Sequence, residues 1–342
     1  MARILIRADA AAAMGTGHVM RCLSLVEILH ERGHECRFAM AETTPAITAL
    51  LAGRGLPVER LPGPAGSAAD LAAMRALAIE ADALVIDGYH FRTPYRAGLA
   101  FCARPILAWD DGGVEPLHAT LVVNASSAAC AEAYAPRAPG ARLLLGPAYI
   151  PLRREIRTLI GATRPAHGHL LISFGGSDPL DLTAPVLTAL APQFEGRIEA
   201  VLGGSVADPR PAEAAVARYP ERIRLHRDTP HMGPLMLGAR LAISAAGGTL
   251  AELAALRTPS LLVAVAENQQ EAARLSPGHG WCLAVDGLAT NAGPWIVATT
   301  LALWPDTPKL AAMSAAAAGL VDGGGPGRIA DALEMAIALR TL

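Results

Sequence analysis

Short apolar runs alternate with helix-like segments along this chain, and the alternation restarts near its middle. Between the runs, in segments such as VMRCLSLVEILHERG and AADLAAMRALAIEA, apolar residues recur three and four positions apart, as in amphipathic helices. Strands that alternate with helices predict a parallel sheet covered by helices on both faces. In the first half, the runs predicted as strands are RILIRAD (3–9), CRFAM (36–40), ALVIDGY (83–89), PILAWDD (105–111) and LVVNAS (121–126).

The second half repeats this organisation without repeating the sequence. Its predicted strands are HLLISFGGSDP (169–179), IEAVLGG, RIRLHRD, LAISAAGG and SLLVAV. A chain of 342 residues is long enough for two domains of ordinary size. We therefore predict a GT-B-like α/β fold, in which two doubly wound, Rossmann-like domains face an interdomain cleft. The expected boundaries are 1–150 for the first domain, 151–168 for a linker, 169–325 for the second domain and 326–342 for a C-terminal helix.

Composition excludes several classes of partner. The net charge is −2 and no basic stripe is present, so nucleic acid is not an expected partner. The apolar stretch at the start is interrupted by Arg3, Arg7 and Asp9, unlike a signal peptide, and no apolar segment is long enough for a bilayer. Five scattered cysteines without a C-x-x-C pair are typical of reduced thiols. We expect a cytoplasmic, monomeric protein without a membrane anchor.

Residues 30–34, HERGH, match the H-E-x-x-H pattern of zinc proteases. That pattern binds zinc only when both histidines lie on one helical face. Gly33 falls where the helix should end, so His30 and His34 are not expected to share a face. We therefore predict neither a metal site nor a cofactor.

A glycine-rich junction, AAAMGTGHVMRCLSL, follows the first predicted strand. GTGHVM lacks the third glycine of a dinucleotide fingerprint. His18 falls in the first turn of the next helix, three residues before Arg21, so both side chains project to one side. The positive end of the helix dipole favours a neutral imidazole that can accept a proton, and Asp9 could orient that ring. Alternatively, His18 only caps or packs the helix.

Polar and glycine-rich segments also follow other predicted strands. In the first half, acids at strand ends could position water or bind sugar groups, or could simply form turns. Paired glycines in the second half would let a phosphate or a sugar approach the backbone closely, although turns use them too. These residues are Asp87, Tyr89, Asp110 and Asp111 in the first half, and Gly175, Gly176, Ser177, Gly247, Gly248, Thr249, Glu252, Asn268 and Gln269 in the second.

The ordered set RAD…MGTGHVMRCLSL, IDGY, WDDGG, ISFGGSDP, SAAGGTLAELAALRTPSLLV and NQ resembles one family over nearly the whole chain. The family comprises the nucleotide-sugar hydrolases of pseudaminic acid biosynthesis, which act on UDP-2,4-diacetamido-2,4,6-trideoxy-β-L-altropyranose. They are relatives of the GT-B glycosyltransferases, which include the lipid II-forming N-acetylglucosaminyltransferase. The resemblance implies that water attacks the anomeric carbon with inversion and releases UDP and free sugar. It would fit an organism that glycosylates flagellin or a surface polysaccharide.

The resemblance also implies roles for residues. His18 would be the general base, and Asp9 would be a neighbour of it on the sugar side of the cleft. One departure concerns IDGYHF, because relatives commonly have a histidine where this chain has Gly88, and here His90 follows the tyrosine. The resemblance and the strand-end positions together predict the sugar-side residues Arg7, Gly17, Arg21, Asp87, Tyr89, Asp111, Asn268 and Gln269. Together they also predict the UDP-side residues Gly175, Gly176, Ser177, Gly247, Gly248, Thr249 and Glu252.

Two alternatives to a hydrolase remain open. A GT-B glycosyltransferase would use the same cleft but an acceptor hydroxyl instead of water. If its acceptor were a lipid, the first domain should expose an apolar or basic surface, and no such patch is evident in the sequence. A non-catalytic nucleotide-sugar-binding subunit would be expected to lack the histidine, and His18 is present.

Overall fold

The computed structural model describes residues 1–11, 14–165 and 167–340. The strands are β1 (Arg3–Ala8), β2 (Glu35–Met40), β3 (Val58–Arg60), β4 (Ala83–Asp87), β5 (Ile106–Trp109), β6 (Leu121–Asn124), β7 (Arg142–Leu145), β8 (His169–Ser173), β9 (Ile198–Leu202), β10 (Ile223–Arg227), β11 (Ala239–Ala245), β12 (Ser260–Ala264) and β13 (Cys282–Asp286).

The helices are α1 (Gly17–Glu31), α2 (Pro45–Gly53), α3 (Ala68–Ala78), α4 (Thr93–Ala100), α5 (Arg154–Arg157), α6 (Thr183–Leu190), α7 (Arg210–Ala217), α8 (Met232–Gly238), α9 (Thr249–Ala255), α10 (Gln270–Leu275), α11 (Ala292–Leu303), α12 (Thr307–Ala316) and α13 (Gly325–Arg340). Short 3-10 helices span Ala131–Ala133, Pro147–Tyr149, Ala191–Gln193, Glu267–Gln269 and Ser276–His279. In the described part of the chain, no helix combines the length and apolar character needed to cross a membrane.

The chain divides into two compact units. Unit 1 comprises Met1–Arg154 and Gly323–Leu342, and unit 2 comprises Glu155–Asp322. The segment expected to be a linker, 151–168, contains α5, and the expected C-terminal helix is α13, which belongs to unit 1. Residues 12 and 13 of the first predicted domain, 166 of the predicted linker, and 341 and 342 of the predicted C-terminal helix lie outside the described residues.

Unit 1 is built on a seven-stranded parallel sheet in the order β3-β2-β1-β4-β5-β6-β7. The strand order reverses between β1 and β4, and in sheets of this kind ligands bind at the carboxyl ends of the strands at such a switch point. All five residues of β4 are buried. Burial on both faces explains why these strands have continuous apolar sequences.

Helices cover both faces of the unit 1 sheet. On one face, Leu23 of α1 and Leu333 of α13 pack against Ile6 of β1 in a common core. Arg32, just after α1, forms ion pairs of 2.8 Å with Asp331 and Glu334 of α13. On the opposite face, α3 and α4 cover β1 and β4. The position of α1 is therefore set by the sheet beneath it and by the last helix of the chain.

Unit 2 has a six-stranded parallel sheet in the order β10-β9-β8-β11-β12-β13. Its first strand lies beside its fourth, as in a Rossmann domain, so that the switch point falls between β8 and β11. The core combines Ile172 and Ile243 from the sheet with Leu187 of α6 and Ile296 of α11. Both glycine pairs predicted to bind a ligand follow strands at this switch point.

Candidate functional site

His18 lies at the switch point of unit 1, in the first turn of α1. The side chain of Thr16, the N-cap residue, forms no capping hydrogen bond, and His18 itself is buried. The ring nitrogen Nδ1 lies 2.7 Å from Oδ1 of Asp87. Because a carboxylate only accepts hydrogen bonds, Nδ1 carries a proton, so that Nε2 holds the lone pair in the neutral form of the ring. No residue in the described ranges forms a hydrogen bond with Nε2.

Asp87 is the last residue of β4 and is fully buried. Burial alone would raise the pKa of Asp87, but the Arg21 guanidinium and then the His18 ring hold that pKa below its usual range. Arg21 donates through Nε to Oδ2 and through Nη2 to Oδ1, each at 2.5 Å. Nη2 also lies 3.3 Å from Nδ1 of His18, but arginine can only donate, so the shorter contact with Asp87 determines the tautomer. Asp87 therefore remains an anion that orients the histidine.

Tyr89 and Asp111 complete the group. Arg21 donates through Nη1 to Asp111 at 2.7 Å, and the Tyr89 hydroxyl donates to the same carboxylate at 3.0 Å. The Tyr89 ring meets the His18 ring edge-on, with centroids 4.7 Å apart, while 60% of Tyr89 is exposed. The structure thus brings five predicted site residues together as one group, the His18 cluster: His18, Arg21, Asp87, Tyr89 and Asp111.

The structure corrects the predicted role of Asp9. Its Oδ1 accepts hydrogen bonds from the backbone amides of Ala41 and Glu42 at 2.8 and 3.0 Å, and its Oδ2 lies 2.7 Å from Nη1 of Arg7. Asp9 therefore ties the end of β1 to the loop after β2, and Asp87, not Asp9, contacts His18.

Arg7 was expected on the sugar side, and the structure corrects this too. The side chain is fully buried and donates through Nε and Nη2 to Asp70, at 3.2 and 2.7 Å. Nη1 donates to the carbonyl of Ala39 at 3.2 Å. With its guanidinium enclosed in this way, Arg7 cannot reach a ligand. The sequence interpretation missed Asp70, because Asp70 follows Ser67 by three residues and resembles an ordinary first-turn acid of α3.

Asp110 was predicted to position water or a sugar, or to form a turn. It is instead buried in a bidentate ion pair with Arg137, at 3.0 and 2.9 Å, and it accepts a hydrogen bond from the Tyr134 hydroxyl at 2.8 Å. These contacts fix the loops that follow β5 and β6. Of the neighbouring acids, only Asp111 joins the His18 cluster.

The predicted ligand-binding residues of unit 2, on the UDP side and the sugar side together, follow three neighbouring strands. Gly175, Gly176 and Ser177 come after β8, and the loop turns at Gly175 with φ +86°. A Cβ on Gly203, after β9, would lie 2.3 Å from the Gly176 carbonyl oxygen, so these two backbones touch only because residue 203 is glycine. Asp178 then accepts hydrogen bonds from the first amides of α6.

Gly247 and Gly248 come after β11, directly before α9. A Cβ on Gly248 would meet no atom of the described residues within 4 Å, and one on Gly247 would lie 3.3 Å from Nε2 of Gln269. Gln269 accepts a hydrogen bond from the Val265 amide at 3.2 Å. Thr249 begins α9, Glu252 is a buried residue of its first turn, and Asn268 is exposed after β12. Because β8, β11 and β12 are adjacent and parallel, these loops share one edge of the sheet.

The H-E-x-x-H segment is not a helical zinc motif. α1 ends at Glu31, and Gly33 has φ +81°, as the glycine in the sequence predicts. His34 therefore lies beyond the helix, where its Nε2 is 2.9 Å from Glu334. Within residues 1–11, 14–165 and 167–340, no group of three or more histidine, cysteine, aspartate or glutamate side chains is placed to hold a metal.

We expect the substitution Asp111→Asn to make Tyr89 more acidic. Burial, and then the Asp111 carboxylate, raises the pKa of Tyr89 to about 12 from an ordinary 10.0, and the substitution removes the second cause. Stability that comes from the protonated phenol is complete below pH 10.0 and is lost as the pH rises through about 12. Ultraviolet difference titration, with Tyr89→Phe protein as the reference, measures the pKa. An unchanged titration in Asp111→Asn would contradict the contact, and Glu115→Gln serves as the control.

Sequence comparison identifies a distant relative. No protein-family model matches the chain. The uncharacterized protein MJ1062 of Methanocaldococcus jannaschii is 24% identical over 280 residues, which is 79% of this chain. The chain spans 57% of the length of this curated relative. This degree of similarity does not assign an activity.

Structural comparison identifies the fold. The structure is similar to that of MurG from Acinetobacter baumannii, with a TM-score of 0.66 and 16% identity over 98% of this chain and 100% of that chain. It is equally similar to UDP-GlcNAc 2-epimerase from Neisseria meningitidis bound to UDP-GlcNAc, with a TM-score of 0.66 and 11% identity over 97% of this chain and 100% of that chain. The predicted fold class is confirmed: the chain has a GT-B-like α/β fold with two Rossmann-like domains.

Proposed function

We propose that this chain is a nucleotide-sugar hydrolase that cleaves UDP-2,4-diacetamido-2,4,6-trideoxy-β-L-altropyranose to UDP and free sugar with inversion. The observation that carries the proposal is the geometry of His18. Its Nδ1 is held 2.7 Å from a buried, ionised Asp87, and its Nε2 is left as the free base of the ring. A base oriented by a carboxylate on its far side is the arrangement that general base catalysis requires.

The reaction needs one proton acceptor and one stabilised leaving group. His18 Nε2 takes a proton from water as the water oxygen bonds to the anomeric carbon. The bond from that carbon to the diphosphate oxygen breaks, and its electron pair leaves with UDP. The imidazolium formed on His18 is stabilised by Asp87, which lies 2.7 Å away and stays ionised. The proton later returns to solvent, so the enzyme ends unchanged.

The sugar would meet the exposed members of the His18 cluster. Tyr89 and Asp111 are the exposed members, and their hydroxyl and carboxylate suit the hydroxyl and acetamido groups of such a sugar. Gly17, the first residue of α1, supports this arrangement because a Cβ there would meet no atom of the described residues within 4 Å. Packing therefore does not require glycine at this position, and the absence of a side chain leaves the helix end accessible.

The nucleotide would bind to unit 2. Its two glycine pairs expose backbone amides at adjacent strand ends, and such amides stabilise negative charge on a departing diphosphate. Similarity to a UDP-GlcNAc 2-epimerase bound to UDP-GlcNAc supports a UDP-sugar as the ligand. In this proposal the phosphate contacts come from Gly175, Gly176, Ser177, Gly247, Gly248 and Thr249, the ribose contact from Glu252, and further ligand contacts from Asn268 and Gln269.

The test is ³¹P and ¹H NMR of the purified protein with the proposed UDP-sugar and no acceptor. We expect the wild type to release UDP and free sugar, and we expect His18→Ala to be slower by about 10²- to 10⁴-fold, because the general base is lost. His30→Ala is the matched control, since His30 is an exposed residue of the same helix. Its rate should equal that of the wild type.

Other outcomes would change the proposal in specific ways. If the sugar nucleotide binds but stays intact until an acceptor is added, the chain is a transferase. If it binds and no acceptor leads to turnover, the chain is a binding subunit. If His18→Ala and wild type turn over equally, the hydrolase stands and His18 is not its base.

A further inference from the structure

We infer that the Phe91 ring positions Tyr89 against His18, so that a buried network remote from the ligand controls the site through one aromatic side chain. We call Arg7, Asp70, Phe91 and Tyr95 the Phe91 support. The inference rests on the proposed function, because it assigns the Phe91 support the task of positioning a side chain of the proposed active site. It also accounts for the glycine at position 88, where a side chain would meet the Phe91 ring.

Tyr89 depends on the course of the loop that carries it. The loop runs from Gly88 to Phe91, between the end of β4 and the start of α4. Tyr89 is 60% exposed, and it contacts the edge of the His18 ring and donates one hydrogen bond to Asp111. An exposed side chain on a loop stays in place only if its backbone does, so the groups that fix this backbone also fix the phenol.

Phe91 is clamped on the inner side of this loop. It is 3% exposed, with the Arg7 guanidinium 4.6 Å from its ring centroid and the Tyr95 ring 4.9 Å away. Arg7 and Tyr95 each donate to the buried carboxylate of Asp70 at 2.7 Å. One carboxylate thus holds both neighbours of the nearly buried ring.

The clamped ring lies directly against Gly88. A Cβ on residue 88 would lie 2.7 Å from Cε2 of Phe91, and Gly88 has φ +154°, which L side chains rarely adopt. The Phe91 ring therefore fills the space that a side chain at residue 88 would need. Glycine at 88 and the clamped ring of Phe91 are two parts of one arrangement.

Two more contacts fix the rest of the loop. Arg96 of α4 donates through Nε to the Phe91 carbonyl at 2.7 Å. A Cβ on Gly66 would lie 2.5 Å from the His90 carbonyl oxygen, so the backbone of residue 66 closes in on the loop from another side. The backbone is thus held at residues 88, 90 and 91, and the intervening Tyr89 projects toward His18.

The kinetic test is a double-mutant cycle on the full-length protein. We expect Phe91→Leu to lower kcat for UDP release by about tenfold, since small misplacements of a positioned group lower rates by such factors. In a Tyr89→Ala background the same change should alter kcat less than about twofold, because the residue through which Phe91 acts is gone. Phe101→Leu is the matched control, since Phe101 is 80% exposed. Equal effects of Phe91→Leu in both backgrounds would overturn the inference.

A second readout does not need the proposed substrate. In protein labelled with 3-fluorotyrosine, Tyr89→Phe assigns the ¹⁹F resonance of Tyr89, and Phe91→Leu should shift that resonance whereas Phe101→Leu should not. Gly88→Ala places a Cβ against the same ring and should also shift the resonance, which keeps the test available if Phe91→Leu does not fold. An unshifted resonance in the folded variants overturns the inference. Absence of UDP release with a shifted resonance overturns only the proposed hydrolysis.

Discussion

Replacing Asp87 by asparagine is expected to lower kcat for the proposed release of UDP by about 10²- to 10⁴-fold. In the wild type, the Asp87 carboxylate accepts a hydrogen bond from Nδ1–H of His18 at 2.7 Å and leaves Nε2 free to take a proton. An asparagine amide can donate to Nδ1 instead, which moves the ring proton to Nε2 and removes the base. The variant also leaves Arg21 without its buried counter-charge. Steady-state kinetics of UDP release, with kcat and KM determined separately, provide the measurement.

Asp111→Asn is the informative comparison for this variant. It removes the same charge from the other side of Arg21, but Asp111 hydrogen-bonds to Arg21 and Tyr89 and not to His18. We therefore expect its effect to fall mainly on KM, and its loss of kcat to be the smaller of the two. A kcat for Asp87→Asn close to that of the wild type would show that Asp87 does not orient the base.

Arg7→Met is expected to lower the free energy of unfolding by about 3–5 kcal/mol, the usual effect of leaving buried charges without a partner. Arg7 is fully buried between Asp9 and Asp70, each 2.7 Å from its guanidinium. Methionine fills much of the volume but leaves both carboxylates uncompensated. Hydrogen exchange resolved by mass spectrometry should show the loss in β1 and β4 peptides, which keeps the unfolding of unit 1 separate from that of unit 2.

Two further variants sharpen this result. Arg54→Met removes a partly exposed ion pair with Glu27 and should change the free energy of unfolding by about 0.5 kcal/mol or less. Arg7→Met/Asp70→Asn should be more stable than Arg7→Met alone, because one unpaired carboxylate is gone. If Arg7→Met is as stable as the wild type and has a raised KM, Arg7 contacts the sugar, as the sequence analysis predicted.

Both sheets could be predicted because their central strands are buried on both faces. Such strands have continuous apolar sequences between helical segments, so the ten predicted runs correspond to β1, β2, β4–β6 and β8–β12. The strands not predicted are β3, β7 and β13. β3 and β7 are the two edge strands of the unit 1 sheet, and β13 is one edge strand of the unit 2 sheet. β3 has three residues, two of them charged, so it gives no apolar run.

The sequence predicts that the site lies at the carboxyl edge of the sheet, but it does not predict which side chains contact each other there. The carboxyl ends of parallel strands meet at one edge, which is why His18, Arg21, Asp87, Tyr89 and Asp111 could be grouped from the sequence. Which carboxylate contacts His18 depends on the face of the sheet to which each side chain of a pleated strand points. Along β1, Ile4 and Ile6 point to the face that α1 covers, while Leu5, and with it Arg7 and Asp9, points to the α3–α4 face.

On β4, by contrast, Asp87 points to the α1 face together with Val85. A strand that is apolar on both faces does not reveal which helix lies on which side, so the choice between Asp9 and Asp87 required the structure. Asp70 was hidden for another reason. Its carboxylate reaches from a helix start to the buried side chain of Arg7, a contact between positions 63 residues apart.

The return of the chain to unit 1 has a consequence for biosynthesis. The helix that bears His18 is translated before unit 2, yet α13, which packs on it, is translated after the whole of unit 2. On the ribosome, the part of the α1 surface that α13 covers therefore stays exposed until all of unit 2 has been made. A chain released inside unit 2 would carry all of the His18 cluster and still present an open core, the kind of surface that chaperones bind.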